Sequence, residues 1–383
     1  MKTPAPSGRA LLESGLEVLR GLLGPDWRVS TLPEAAGQGD TGADAIVQIT
    51  AEADNTTAQL LVDAKPSLTP LAVREQLAPK AALVRRLQHH TQPFVITESL
   101  TERTKQELRQ HGIGYMDLHG NVCLRVSRPA VVILADTPQR ALRATPAVRA
   151  APTRRPKLAG PRAGQLVRFL ADVAPPYTAS ELTAATGISK GYMSKLLNTL
   201  EDLLLIRREG HTVVKVDWPG LLRERAAQLS VLRHNPFVGM IAPNGPGPLL
   251  ESVRALQQRG ERIVLTGSYA ARKIAPLAVG GQVMLYVPHS VRGPYEIGEE
   301  LGLLPTDQGA DTLLLRAHDD VVFDRTLVID GVEQVAPSQL VLDCLSGPGR
   351  MPAEGEAVLA RMIDDEQEWR LPELSAPHRG RHH

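Results

Sequence analysis

The sequence predicts a multidomain α/β protein with a small, mainly helical unit at its centre, and three observations carry that prediction. Helix-forming and strand-forming runs alternate in both the first and the last third of the 383 residues, which is the order of α/β domains. Between them lie two short amphipathic helical runs and two apolar strand-like runs, joined by glycine-containing turns. Just before that centre, residues 137–162 consist largely of Pro, Ala and Arg and contain no acid, a composition that cannot bury a core and reads as a linker.

In chain order, leucines and a valine at helical spacing over 10–23, stopped by Gly24-Pro25, predict a first helix. Strands are expected at 45–49 and 59–62 around a polar turn at Asp54-Asn55, followed by helical stretches over 70–88 that Pro79 should interrupt. A buried strand at 94–97, a helix at 101–111 starting near Thr101 and Thr104, and strands at 114–118, 122–126 and 131–135 complete a domain over 1–136. His119-Gly120-Asn121 reads as a turn.

Asp63-Ala64-Lys65 ends one of these strands and Asp44 stands just before the preceding one, so both carboxylates are expected at one edge of the sheet. Two carboxylates can hold Mg²⁺ while a lysine orients the attacking water. This arrangement resembles the PD-(D/E)XK nucleases and implies a restriction-endonuclease-like fold. Asp44 would take the first acidic position, Asp63 and Lys65 the second motif, and Glu13 or Glu17 the helical acid. The usual Pro-Asp dipeptide is absent at Asp44. Two readings stay open, an active Mg²⁺-dependent DNA endonuclease and a domain that keeps the fold without the chemistry, and the second is the expectation adopted.

The linker holds Arg140, Arg143, Arg149, Arg154, Arg155, Lys157 and Arg162, so it is either a soluble tether or a basic arm for phosphates or a narrow minor groove. After it, over 163–218, Thr178 to Glu181 form a capping box that starts a short helix ended by Gly187. Ile188 should point inward from the turn and Ser189 should cap the next helix. There Met193, Leu196, Leu197 and Leu200 make the apolar face, leaving Ser189, Lys190, Tyr192, Ser194, Lys195 and Asn198 on the other. A hairpin over 204–216, turning at Glu209-Gly210-His211, carries Arg207, Arg208, His211 and Lys215. The order resembles bacterial winged-helix regulators and implies duplex DNA as partner, with the second helix in the major groove and the basic residues on phosphate. Asn198 and Tyr192 are expected to read bases.

From 219 to 365 a second α/β domain is expected: helices at 221–232, 249–259, 270–274, 297–301, 337–344 and 354–362, and strands at 263–266, 282–287 and 312–316, with a turn at Asp330-Gly331. A strand running into Gly267-Ser268 before a helix is the nucleotidyltransferase way of presenting amides to a phosphate, but the next strand, 282–287, has no acid to hold metal. The blocks Leu265-Thr266-Gly267-Ser268-Tyr269-Ala270-Ala271, Pro276, Leu285-Tyr286-Val287-Pro288, Asp319-Asp320-Val321-Val322-Phe323, Val335-Ala336-Pro337-Ser338-Gln339-Leu340 and Leu342-Asp343 resemble the C-terminal domain of AbiEi-type antitoxins of type IV toxin-antitoxin systems over 261–362. That resemblance implies a nucleotidyltransferase-like fold without transfer activity, an autoregulating repressor and a cognate toxin. Residues 366–383, with His378, His382 and His383, read as a polar tail.

Composition bounds these readings. A net charge of +1 excludes a global polycation, so affinity for nucleic acid must come from local clusters, and 3% aromatic residues weigh against a stacking platform for single strands. Two cysteines, Cys123 and Cys344, far apart in sequence, support neither a disulfide framework nor a cysteine zinc site. With no signal-peptide core and no spanning run, a cytoplasmic protein without a membrane partner is expected. No cofactor is expected beyond Mg²⁺ under the nuclease alternative. A homodimer is an open expectation, because winged helices often read paired half-sites.

Overall fold

The computed structural model describes residues 8–32, 43–87, 91–136, 158–277, 281–288 and 293–372. Of the linker expected over 137–162, residues 137–157 lie outside the described residues, as do the tail histidines His378, His382 and His383. Its end is not linker: Leu158 is buried, and Pro161 and Arg162 open a helix, proline being preorganised for a first turn. The chain is mixed α/β and divides into two compact units, one built from the residues up to 155 with 202–204 grouped with them, the other from 156–201 and from 205 onward.

In the first unit α1 (Gly8–Leu23) precedes the antiparallel meander β1 (Trp27–Leu32), β2 (Ala45–Ala51) and β3 (Thr57–Lys65). A helical run, α2 (Pro70–Ala72), a π-helical turn at Val73–Leu77 and α3 (Ala78–Leu87), returns the chain to β4 (Thr91–Thr97), parallel to β3. Next, α4 (Glu102–Gln110) leads to β5 (Gly114–Asp117), parallel to β4, and β6 (Val122–Val126) and β7 (Val131–Ala135) close the sheet antiparallel. All seven strands lie in sequence order. Strand alternation sorts the side chains of the sheet between two cores, with Phe94 and Ile96 of β4 in one and Val95 in the other. Leu60, Val62 and Ala64 pack with Leu11, Leu16 and Leu19 of α1, while Val95 and Tyr115 pack with Leu77 and Leu108 on the other face.

Pro79 does not interrupt the helical run as expected. The π turn shifts the ladder, with Ala78 donating to Val73 five residues back, and Pro79 falls in the first turn of α3, where a missing N–H is tolerated. The strand β1 was not legible, because Trp27–Leu32 mixes polar and apolar residues at an edge.

The second unit begins with α5 (Pro161–Asp172), β8 (Tyr177–Thr178), α6 (Ala179–Thr186), α7 (Lys190–Asp202), β9 (Ile206–Glu209) and β10 (Thr212–Val216). The strands form a small antiparallel sheet of order β8-β10-β9. Then follow α8 (Trp218–Ala227), α9 (Val231–His234), β11 (Phe237–Ile241), α10 (Pro246–Gln258), β12 (Val264–Thr266), α11 (Gly267–Ile274), β13 (Val283–Val287), α12 (Pro294–Glu300), β14 (Leu304–Pro305), β15 (Thr312–Arg316), β16 (Leu327–Ile329), β17 (Val332–Gln334), α13 (Pro337–Leu345), α14 (Met351–Asp364) and α15 (Glu366–Trp369). Their strands make a mixed sheet of order β14-β11-β15-β13-β12-β17-β16. Helices α10 and α12 start earlier than periodicity indicates, because Pro246 and Pro294 occupy first-turn positions where proline is preorganised.

The segment from α5 to β10 and the C-terminal α/β segment share this unit, fastened by a buried guanidinium. Arg168 of α5, 2% exposed, donates from Nε to Ser338 Oγ at 2.9 Å and from Nη1 to Gln339 Oε1 at 2.8 Å, both on α13. Residues 366–371, expected as the start of a polar tail, are packed against the unit instead. Trp369 sets its ring edge-on to Trp218 at 4.9 Å, Arg370 donates to the Leu170 carbonyl at 3.1 Å, and the Leu371 amide donates to the Asp172 carbonyl at 2.9 Å. Among the described residues no helix is long and apolar enough to cross a membrane.

Candidate nucleic-acid interface

Helices α6 and α7 and the turn between them are built as the sequence indicates. Thr178 Oγ1 accepts from the Glu181 amide at 3.2 Å while the Glu181 carboxylate accepts from the Thr178 amide at 2.7 Å, satisfying two donors at the start of α6. Gly187 closes that helix at φ 67°, a left-handed conformation that costs glycine nothing. Ile188 is buried, and the Ser189 carbonyl accepts from the Met193 amide at 2.8 Å to begin α7. Met193, Leu196, Leu197 and Leu200 are buried, and Ser189, Lys190, Tyr192, Ser194, Lys195 and Asn198 are exposed on the opposite face. The hairpin turns at Gly210, φ 63°, beside exposed His211, and β10 carries exposed Lys215 opposite exposed Arg207.

Two of the expected contact residues are engaged within the protein instead. Arg208 donates from Nε to Glu201 Oε2 at 2.9 Å, and its Nη2 reaches Asn198 Oδ1 at 2.8 Å. Its charge is therefore matched by a carboxylate, which corrects the expectation that it faces phosphate as the lysines do. The Asn198 oxygen is occupied as well, so the two-point adenine contact that uses both ends of an amide is not offered in this geometry. Arg207 pairs loosely with Glu209 at 3.4 Å, both well exposed, where such pairs add little and yield to competitors. Glu201 was missed in the sequence, since only the folded hairpin brings Arg208 back to a residue one helical turn before the strand.

In the first unit the sheet brings Asp44, Asp63 and Lys65 together at the end of β3. The Asp44 amide donates to the Val62 carbonyl at 2.9 Å, and its Oδ2 accepts from the Ala64 amide at 2.7 Å, laying the carboxylate across the backbone between Asp63 and Lys65. Burial pushes the Asp63 carboxyl above its ordinary value, outweighing Lys80 and Lys65, with Asp44 adding to the rise. Lys80 of α3 is a neighbour that spacing did not reveal. Glu13 and Glu17 are not brought to this place: they lie on the exposed side of α1, and α1 packs on the face of β3 that carries Val62 and Ala64. Among the described residues no group of three or more His, Cys, Asp or Glu is placed to hold a metal ion. Asp117, the last residue of β5, serves the turn. It accepts from the amides of Leu100, His119 and Asn121 and from the Asn121 side chain, at 2.7 to 3.0 Å.

The Gly267-Ser268 corner of the second unit is closed rather than open to a phosphate. Ser268 is 6% exposed and donates to Glu354 Oε2 at 2.5 Å, and Arg350 pairs with the other oxygen at 3.0 Å. Next to it Thr266 and Tyr286 donate to the two oxygens of Asp343 at 2.6 and 3.0 Å. Burial raises the Asp343 carboxyl to about 6, although those donors and Gln339 pull it down. This is a packed polar core whose donors face its own carboxylates. No protein-family model, no curated protein and no solved structure matches the chain.

Proposed function

We propose that the protein is a sequence-specific duplex DNA-binding regulator that acts through the winged helix of its second unit. The observation that carries this reading is the polar face of α7. Ser189, Lys190, Tyr192, Ser194 and Lys195 are exposed there, beside a hairpin whose Arg207 and Lys215 are exposed too. A helix N-terminus with two lysines suits phosphates, and Tyr192 and Ser194 suit base edges and sugar. The closed corner at Ser268 agrees with a C-terminal segment that packs or binds a partner and transfers no nucleotide. On this reading the chain is an autoregulating repressor, an antitoxin acting as a dimer beside a cognate toxin. The proximity of Asp44, Asp63 and Lys65 supports a second reading, a Mg²⁺-dependent endonuclease delivered by the same winged helix. The proposal for the first unit is a nuclease-like framework without the cut, because neither Glu13 nor Glu17 reaches the pair.

Electrophoretic shift of duplex DNA across salt concentrations tests the main reading. Lys190→Ala and Lys195→Ala should each weaken binding on every sequence and reduce the salt slope by about 1. Tyr192→Ala should cost roughly 1–3 kcal/mol on the preferred site and much less on random DNA. Binding that never exceeds that of random DNA, or a Lys190/Lys195 double variant equal to wild type, refutes it.

A further inference from the structure

We infer that the second unit holds a binding site for a small phosphorylated molecule that also carries hydrogen-bond donors, a sugar phosphate or a nucleoside monophosphate. This site is separate from the α7 face and does not rest on the DNA-binding reading. It is a cleft of about 680 Å³ between the start of α5, the α9 turn and the end of β15, within the size range of small-molecule sites.

Arg162 of α5, Arg233 of α9 and Arg316 of β15 all line it. Arg162 has only the neutral Gln165 as partner, at 3.1 Å, and Arg233 and Arg316 have no hydrogen-bond or carboxylate partner among the described residues. Most other arginines of this unit are matched: Arg208 by Glu201, Arg223 by Glu356, Arg259 by Glu300 and Arg361 by Asp365. Guanidinium forks match phosphate oxygens in pairs, so three unmatched forks in one concavity favour a phosphate over a lone carboxylate.

The inner wall asks for something different. His234, His318 and Asp319 also line a deeper, smaller cavity of about 50 Å³, which Arg225 lines as well. Asp319 caps the 3₁₀ turn at Asp320–Phe323 by accepting the Val321 amide at 3.1 Å through Oδ1. Its Oδ2 is buried and has no hydrogen-bond partner, and the same holds for Nε of Arg225, a residue 8% exposed. Unsatisfied buried polar atoms are few in folded proteins and call for a partner. A buried carboxylate oxygen needs a donor and a guanidine N–H needs an acceptor. A hydroxyl group supplies both, whereas fully ionised phosphate supplies none of the first. The cleft therefore seats the phosphate outside, among the three arginines, and the hydroxyl or amino end of the ligand inside, against Asp319.

Isothermal titration calorimetry of the full chain, without DNA, with inorganic phosphate, ribose 5-phosphate, AMP and adenosine tests this. Ribose 5-phosphate or AMP, whichever source the site serves, should bind more tightly than inorganic phosphate, and adenosine should not bind. Arg233→Ala, on an exposed side chain, and Arg316→Ala, on a half-buried one at the end of β15, should each weaken the phosphate esters by roughly tenfold with unchanged circular dichroism. Asp319→Asn keeps the cap acceptor and should erase the preference over inorganic phosphate while leaving inorganic phosphate bound at least as well. No heat from any phosphate probe at about 1 mM, or arginine variants that bind like wild type, overturns the site. A preference that survives in Asp319→Asn, or inorganic phosphate binding as tightly as its esters, overturns the assignment of the inner wall.

Discussion

Arg208 of β9 is clamped by Glu201 of α7 through both its guanidinium and its backbone amide, which donates to Glu201 Oε1 at 3.2 Å. The pair is about three-quarters buried and ties the hairpin to the helix it flanks. Arg208→Ala should cost about 1 kcal/mol of stability in denaturant unfolding and weaken DNA binding by loosening the wing. Its salt slope should stay at the wild-type value, since the charge removed is already neutralised. A slope reduced as in Lys195→Ala would show instead that Arg208 contacts phosphate.

Ser268 and Glu354 make a second testable pair. Ser268→Ala deletes the donor to a carboxylate that is 4% exposed, and an orphaned buried acceptor costs roughly 1–3 kcal/mol. The expected result is a lower denaturation midpoint and, in wild type, no incorporation of labelled nucleotide into RNA or protein. Incorporation that Ser268→Ala abolishes would reverse the reading of this corner.

Metal-dependent cleavage is the measurement that separates the two readings of the first unit. Duplex DNA incubated with the purified chain and Mg²⁺ should stay intact. Cutting that disappears in both Asp63→Ala and Lys65→Ala would establish the endonuclease, because metal binding and water activation would each have lost a group.

Asp343 makes stability depend on pH in a stated direction. Its folded value, about 6, stands above the ordinary 3.8, so the protonated form is favoured by folding. That contribution is present below about pH 4 and is lost as pH rises through about 6, a change of about 3 kcal/mol for a shift of roughly two units. Asp343→Asn retains an acceptor for Tyr286 and Gln339, and Thr266 can turn its hydroxyl to accept from the new amide. The stability difference between variant and wild type should therefore grow in favour of the variant between pH 4 and pH 6. A difference that stays flat over that window would show that Asp343 is ionised throughout.

What the sequence determined by itself is local. The Thr178–Glu181 cap, the Gly187 turn, the buried Met193-Leu196-Leu197-Leu200 stripe and the hairpin at Gly210 depend on contacts a few residues apart, so spacing and residue type were enough. The neighbourhood of Asp44 and Asp63 was legible for the same reason, since adjacent antiparallel strands and their turn set the register. Tertiary structure decided what involved distant partners. Glu13 and Glu17 looked available until α1 packed against the face of β3 away from Asp63, a choice made by where the apolar stripe of α1 is buried. Ser268 resembled a phosphate-binding serine until α14 brought Glu354 to it from 86 residues away. Arg208 was one more basic residue until Glu201 and Asn198 took its donors. Charge pattern counts ionic groups along a chain, but only the fold decides which of them are already paired and which are left for a ligand.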